Sequence, residues 1–236
     1  MNTASSRGPA GQHEEGGQRL PAAVLWDMDG TLVDTEPYWF ESEYALAERH
    51  AGTWSDEHAL NLVGNDLLES GRYIREHMGI DLTPEQVVEE LLDLMVARTR
   101  VRVPWRPGAR ELLADLRSAG VPTALVTMSY RRLVDPVLEA LGDQGFDAVV
   151  TGDVVTRGKP DPEPYLRAAA ELGVAPQDCV AIEDSDTGAR SAAAAGCAVL
   201  CVPLHVPVPP GPPRTFADSL VGLHPGDLDA LLRARA

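Results

Sequence analysis

Short apolar runs alternate with amphipathic stretches along most of the chain, and one long region breaks that alternation. Ala22 to Trp26 is a continuous apolar run, which predicts a short strand buried on both faces. From Tyr38 to about Val103 the spacing turns helical instead. Phe40, Tyr44 and Ala47 recur on one face before Gly52, and Ser55 opens a second helix. Thr83-Pro84-Glu85-Gln86 then supplies a capping threonine, a proline at the first helical position and a reciprocating glutamine, ahead of Val87, Val88, Leu91, Leu92 and Met95. No strand is expected in this stretch.

Beyond Pro104-Trp105-Arg106-Pro107-Gly108 the pattern becomes a regular alternation. A helix from Ala109 to Ala119 precedes a strand from Pro122 to Val126, and a helix from Arg131 to Leu141 precedes a strand from Asp147 to Val150. A helix from Glu163 to Leu172, a strand from Cys179 to Ile182, a helix from Thr187 to Ala195 and a strand from Ala198 to Val202 complete the series. Strands and helices alternating at this spacing imply right-handed crossovers, hence an α/β fold with a parallel sheet covered by helices on both faces. The all-helical stretch is then an insert. The expected organisation is a tail over 1–20, core over 21–36, a helical cap over 37–103 and the remaining core over 104–236. Leu204 to Pro213 is too rich in proline for a regular element and reads as an irregular surface segment leading to a last helix, Asp227 to Arg233.

At 236 residues the chain suits one large domain or a core with an insert. Its formal net charge of -16 and lack of a Lys/Arg-rich cluster argue against nucleic acid or an anionic membrane surface as partner. Cys179, Cys197 and Cys201 lie in or beside apolar runs without metal-site spacing, and read as buried, reduced thiols. Met1 to Arg19 has no apolar run of the secretory kind, and no stretch is long and apolar enough to span a bilayer, so a cytoplasmic location is expected.

In parallel α/β sheets ligands bind beyond the carboxyl ends of the strands, so the residues that follow each strand are the ones to collect. They are Asp27 and Asp29 after the first strand, Thr127 after the second, and Glu183 with Asp184 after Ile182; Lys159 in "RGKPDPEPY" joins them. Four carboxylates in one crevice raise each other's pKa unless a cation compensates them. Mg²⁺ fits, because it takes one or two carboxylates, keeps water and bridges to a phosphate oxygen. Lys159 and the Thr127 hydroxyl would hold the other phosphate oxygens, which makes the substrate a phosphate ester. Asp27 is then placed as a nucleophile toward phosphorus, and Asp29 as the acid that protonates the leaving oxygen and later the base that activates water.

Four stretches, "DMDGTLVDTEP", "LVTMS", "GKPDPEPY" and "IEDSDTGARSAAAAG", resemble in order the four motifs of the haloacid dehalogenase-like (HAD) superfamily of phosphohydrolases. The resemblance implies a Rossmann-like core with a helical cap inserted after the first motif, as in sugar-phosphate phosphatases, phosphoglycolate phosphatases and β-phosphoglucomutases. It implies Asp27 as nucleophile and Asp29 as general acid/base. Mg²⁺ would be bound by the Asp27 carboxylate, the Asp29 backbone carbonyl and Asp184, with Glu183 binding it directly or through water. Thr127 and Lys159 would bind phosphate.

The expected activity is therefore Mg²⁺-dependent hydrolysis of a small phosphorylated metabolite such as a sugar phosphate, through a phospho-aspartate. Dehalogenation fits poorly, since a dehalogenase does not keep an aspartate at the place of Asp29. A β-phosphoglucomutase-like phosphoryl transfer is the alternative, although Trp39 stands where such mutases are expected to carry histidine. A silent binding module of the same fold is the third reading, and it would have been favoured by loss of a motif aspartate. Asp34 reads as structural, and Ser129 either lines the site or serves the turn. In the cap, Tyr38, Trp39, Asn65, Arg72 and Arg75 are the residues from which substrate contacts would come.

Overall fold

A computed structural model of the chain describes residues 20–62 and 66–233. The expected tail, Leu20 apart, and Asn65 lie outside the described residues. The strands are β1 (Ala23–Trp26), β2 (Thr123–Val126), β3 (Ala148–Val150), β4 (Cys179–Glu183), β5 (Ala198–Cys201) and β6 (Arg214–Phe216). The helices are α1 (Glu36–Arg49), α2 (Asp56–Leu60), α3 (Leu67–Met78), α4 (Pro84–Val101), α5 (Ala109–Ser118), α6 (Arg131–Leu141), α7 (Glu163–Glu171), α8 (Asp186–Ala195) and α9 (Pro225–Arg233).

The strands form one parallel sheet in the order β3-β2-β1-β4-β5-β6. Alternation along β1 explains the two layers. Val24 and Trp26 enter the cluster built with Leu112, Leu116, Leu133 and Val137 of α5 and α6. Ala23 and Leu25 point the other way, into the cluster with Tyr165 and Ala168 of α7 and Ala189 and Ala192 of α8. Both sides of β1 are fully buried, and each large apolar side chain so buried contributes roughly 1.5–3 kcal/mol. The fold is the expected α/β arrangement with helices on both faces.

One strand was not legible. The proline-rich segment, expected to run irregularly toward the last helix, is followed by β6, which pairs with β5 at the sheet edge. Three residues are too few to show periodicity. The strand is held from outside its own pattern: the Arg214 guanidinium donates to Asp186 Oδ1 at 2.7 Å and to the Pro209 carbonyl at 2.8 Å. An edge strand also tolerates adjacent prolines, which cannot donate to a ladder.

The helices α1–α4 follow β1 directly, where the sequence placed its helical insert. The capping box at Thr83 is formed as its sequence predicts, with Thr83 and Gln86 bonding each other's backbone N–H. Leu46, Ile74, Met78, Val87 and Leu91 make a cluster of their own. The next residues round α4, Val88, Leu92 and Met95, belong instead to the main core with Leu133 and Val137. α4 is thus seated on α6, and Arg132 of α6 pairs with both Glu89 and Asp93 of α4.

Candidate active site

Strand register assembles the site. Trp26 lies opposite Ile182 on one side and Leu125 on the other, so β1, β2 and β4 end at one level. The Asp27 N–H continues the ladder to the Ile182 carbonyl at 3.0 Å, and the Thr127 N–H reaches the Val150 carbonyl at 2.9 Å. The strand order reverses beside β1, which is where an open parallel sheet leaves a crevice. Asp27, Asp29, Thr127, Lys159 and Asp184 line the cavity there. Glu183 lies directly beneath, fully buried.

The Lys159 ammonium joins these loops. Its Nζ donates to Asp27 Oδ1 at 2.7 Å, Glu183 Oε1 at 2.6 Å and the Val126 carbonyl at 2.9 Å. Burial favours loss of its proton, but the Asp27 and Glu183 charges outweigh that and hold the ammonium above its ordinary pKa. Glu183 is raised by its complete burial, an effect that Lys159 opposes. Its Oε1 also accepts from the Tyr165 hydroxyl, and its Oε2 from the Ser185 hydroxyl at 3.3 Å.

Asp29 is held differently. Thr35 Oγ1 donates to its Oδ1 at 2.5 Å, and Ser129 Oγ and Thr127 Oγ1 donate to its Oδ2 at 2.7 and 3.3 Å. Burial raises its pKa, and the Asp27 charge adds to the rise while the three hydroxyls oppose it. Two neighbouring aspartates therefore have opposite surroundings: one faces an ammonium, the other only hydroxyls. Such unequal surroundings are what chemistry needs where one carboxylate is to attack and its neighbour is to carry a proton.

The chemistry of the donors also fits a divalent cation. Oxygens of Asp27, Glu183 and Asp184 lie within 4.8 Å of one another. Asp27 Oδ2 is buried without a hydrogen-bond partner, and a buried carboxylate oxygen left so is costly unless something positive meets it. Asp184 is raised by burial first and then by the Asp27 and Glu183 charges. A hard cation in this cluster relieves all three conditions. Two glycines allow the crowding: a Cβ on Gly30, at φ +88°, would stand 2.0 Å from Asp184 Oδ2, and one on Gly188 would stand 2.0 Å from the Glu183 oxygens.

Residues 21–196 match the family of haloacid dehalogenase-like hydrolases. The chain belongs to that family. Hexitol phosphatase A of Escherichia coli is 34% identical over 180 residues, 75% of this chain and 81% of that protein. The bifunctional riboflavin kinase/FMN phosphatase of Arabidopsis thaliana is 30% identical over 188 residues, 79% of this chain; the match spans about half, 49%, of that longer protein. Among solved structures, CbbY from Rhodobacter sphaeroides in complex with phosphate superposes with a TM-score of 0.78 at 27% identity, covering 86% of this chain and 96% of that one.

In this haloacid dehalogenase-like hydrolase, all six residues collected from the sequence converge on the strand ends. Ser129, which the sequence left between two roles, bonds Asp29. The Asp34 carboxylate meets His205 Nε2 at 2.9 Å. Thr35, Tyr165 and Arg106 went unnoticed. Thr35 looks like a helix cap, yet its side chain makes no cap bond and goes to Asp29. Tyr165 occupies an apolar helical position, and Arg106, whose guanidinium fastens the Gly30 carbonyl, stands alone in a proline-rich joint. Of the substrate-contact candidates, Trp39 lines the cavity. Tyr38 bonds the Arg102 carbonyl, Arg72 pairs with Glu69 on the surface, and Arg75 is exposed.

Proposed function

We propose that this hydrolase is a Mg²⁺-dependent phosphatase that cleaves a small phosphorylated metabolite, a sugar phosphate or close analogue, through a phospho-aspartate. One observation carries the reading: Asp27 is gripped through Oδ1 by a buried lysine, its Oδ2 has no partner, and Asp29 beside it is held by hydroxyls alone. The names of the relatives, a hexitol phosphatase and an FMN phosphatase, support phosphate esters as the substrate class. Residues 37–103 would serve as a cap over a core of 21–36 and 104–236. A cytoplasmic location belongs to the same reading, and no helix among the described residues is long and apolar enough to cross a membrane.

In the first step an Asp27 carboxylate oxygen bonds to phosphorus and the ester P–O bond breaks, while Asp29 delivers its proton to the departing oxygen. In the second, water attacks the same phosphorus, Asp29 takes its proton, and the bond from Asp27 to phosphorus breaks to release inorganic phosphate. Thr127 and Lys159 orient the phosphoryl oxygens, and the buried ammonium opposes the charge that builds on them. The Asp27 and Asp184 carboxylates and the Asp29 backbone carbonyl would hold Mg²⁺, with Glu183 binding it directly or through water, and the ion would supply further neutralisation of the phosphate. Glu183 also keeps Lys159 in place through its Oε1.

Phosphate release from sugar phosphates, phosphoglycolate and nucleotides with Mg²⁺ tests this. Asp27→Asn is expected to lower turnover by at least about 10³-fold. Unchanged release in that variant, or release indifferent to chelation of the metal, would sink the mechanism.

A further inference from the structure

The cavity does not end at the strand ends. It continues between α1, α3 and α4, where its walls change character: Trp39, Phe40, Leu62, Leu67, Ile74 and Leu91 line it. The polar groups in this part are Glu36, Glu43 and Ser70. Glu43 is nearly fully buried, and the Trp54 indole N–H donates to its Oε2 at 2.9 Å. Glu36 stands at the start of α1, 3.7 Å from His205. Among the described residues Lys159 is the one cation that lines the cavity, and it stands at the opposite end, against Asp27 and Glu183, where the transferred phosphoryl group would use it.

A second phosphate or a carboxylate on the substrate would therefore enter a mainly apolar space where the described lining offers no further cation to replace its water. Burying an anion so is strongly unfavourable. An uncharged alcohol with hydroxyl groups meets the opposite conditions. Its C–H faces pack on Trp39 and Phe40, and its hydroxyls find the Glu43 and Glu36 carboxyls and the Ser70 hydroxyl. We infer that the helical half of the cavity selects monophosphate esters of neutral, hydroxyl-bearing alcohols and rejects substrates that carry a second anion. The inference rests on the reading of the site as a phosphatase and names the substrate class within it.

The test compares kcat/KM with Mg²⁺ for hexitol and hexose 6-phosphates, phosphoglycolate and a ketose bisphosphate, with p-nitrophenyl phosphate as a reporter of the chemistry alone. The best neutral-alcohol ester is expected to exceed both doubly anionic substrates by about 100-fold or more. Glu43→Leu is expected to lower the ratio of kcat/KM for that ester to kcat/KM for the reporter by about tenfold, the loss of one or two hydrogen bonds to substrate hydroxyls. If the reporter is hydrolysed and phosphoglycolate or the bisphosphate reacts as well as every neutral ester, the inference is overturned while the phosphatase reading stands. If neither the reporter nor any ester yields phosphate, the phosphatase reading itself fails and takes the inference with it.

Discussion

At the carboxyl ends of β1, β2 and β4 the charged side chains are buried and each has several partners: Lys159 has three acceptors, Asp29 three hydroxyl donors, Glu183 an ammonium and two hydroxyls. Between α1, α3 and α4 the same cavity is walled mainly by hydrocarbon. There the ion pairs stand outside on the surface, as with Arg72 and Glu69 or Arg132 and its two partners. The difference follows from what each scaffold controls. A parallel ladder sets the level of each strand end to within a hydrogen bond, so side chains from distant segments meet at fixed distances. Helix faces set only which side chains share a surface, and there an apolar lining leaves orientation and specificity to a few polar groups.

The contrast is sharpest at Lys159. Lys159→Met is expected to cost about 3–5 kcal/mol of stability in chemical denaturation, because it leaves the buried Asp27 and Glu183 carboxylates without their cation. A loss below about 1 kcal/mol would mean that the cluster is not stabilised by the pairing described here.

Glu43 tests the other end of the cavity. Burial, first, and then the Glu36 charge push its carboxyl up to about 8, with the Trp54 hydrogen bond pulling the other way. A folded-state carboxyl raised above its unfolded value of 4.5 keeps a proton that the unfolded chain has released. Its contribution to stability is thus greatest below about pH 4.5 and is lost progressively up to about pH 8. Asp29 and Asp184 are raised too and act in the same direction, so the informative quantity is the difference between the wild type and Glu43→Gln. The wild type is expected to lose on the order of 3–5 kcal/mol more than the variant between pH 4.5 and pH 8, measured by urea unfolding. Parallel pH curves for the two proteins would remove Glu43 as a buried, proton-holding group.

The smallest effect belongs to the surface. Arg132 bridges α6 to α4 with side chains about half exposed, and Arg132→Ala is expected to cost under about 1 kcal/mol. A loss as large as that of the Lys159 variant would show that the seating of α4 depends on charge rather than on Val88, Leu92 and Met95.

The amino-acid sequence alone determined the alternation of buried strands and amphipathic helices, the helical stretch after β1, and the five polar residues at or just after strand ends, with Lys159 beside them. Each of these is written locally, in apolar periodicity, in capping signals such as Thr83 and Gln86, and in carboxylates that follow apolar runs. Only the tertiary structure decided how those residues are paired. Thr35 and Thr127 are 92 positions apart, yet their hydroxyls bond one carboxylate; no local pattern records that. Tyr165 keeps the spacing of a core residue while its hydroxyl serves Glu183. β6 depends on a guanidinium from its own strand reaching Asp186 at the start of α8. The acidic, apolar character of the cavity beyond Asp27 also waited on the packing of α1, α3 and α4, because a helical pattern tells which face is buried and not what that face surrounds.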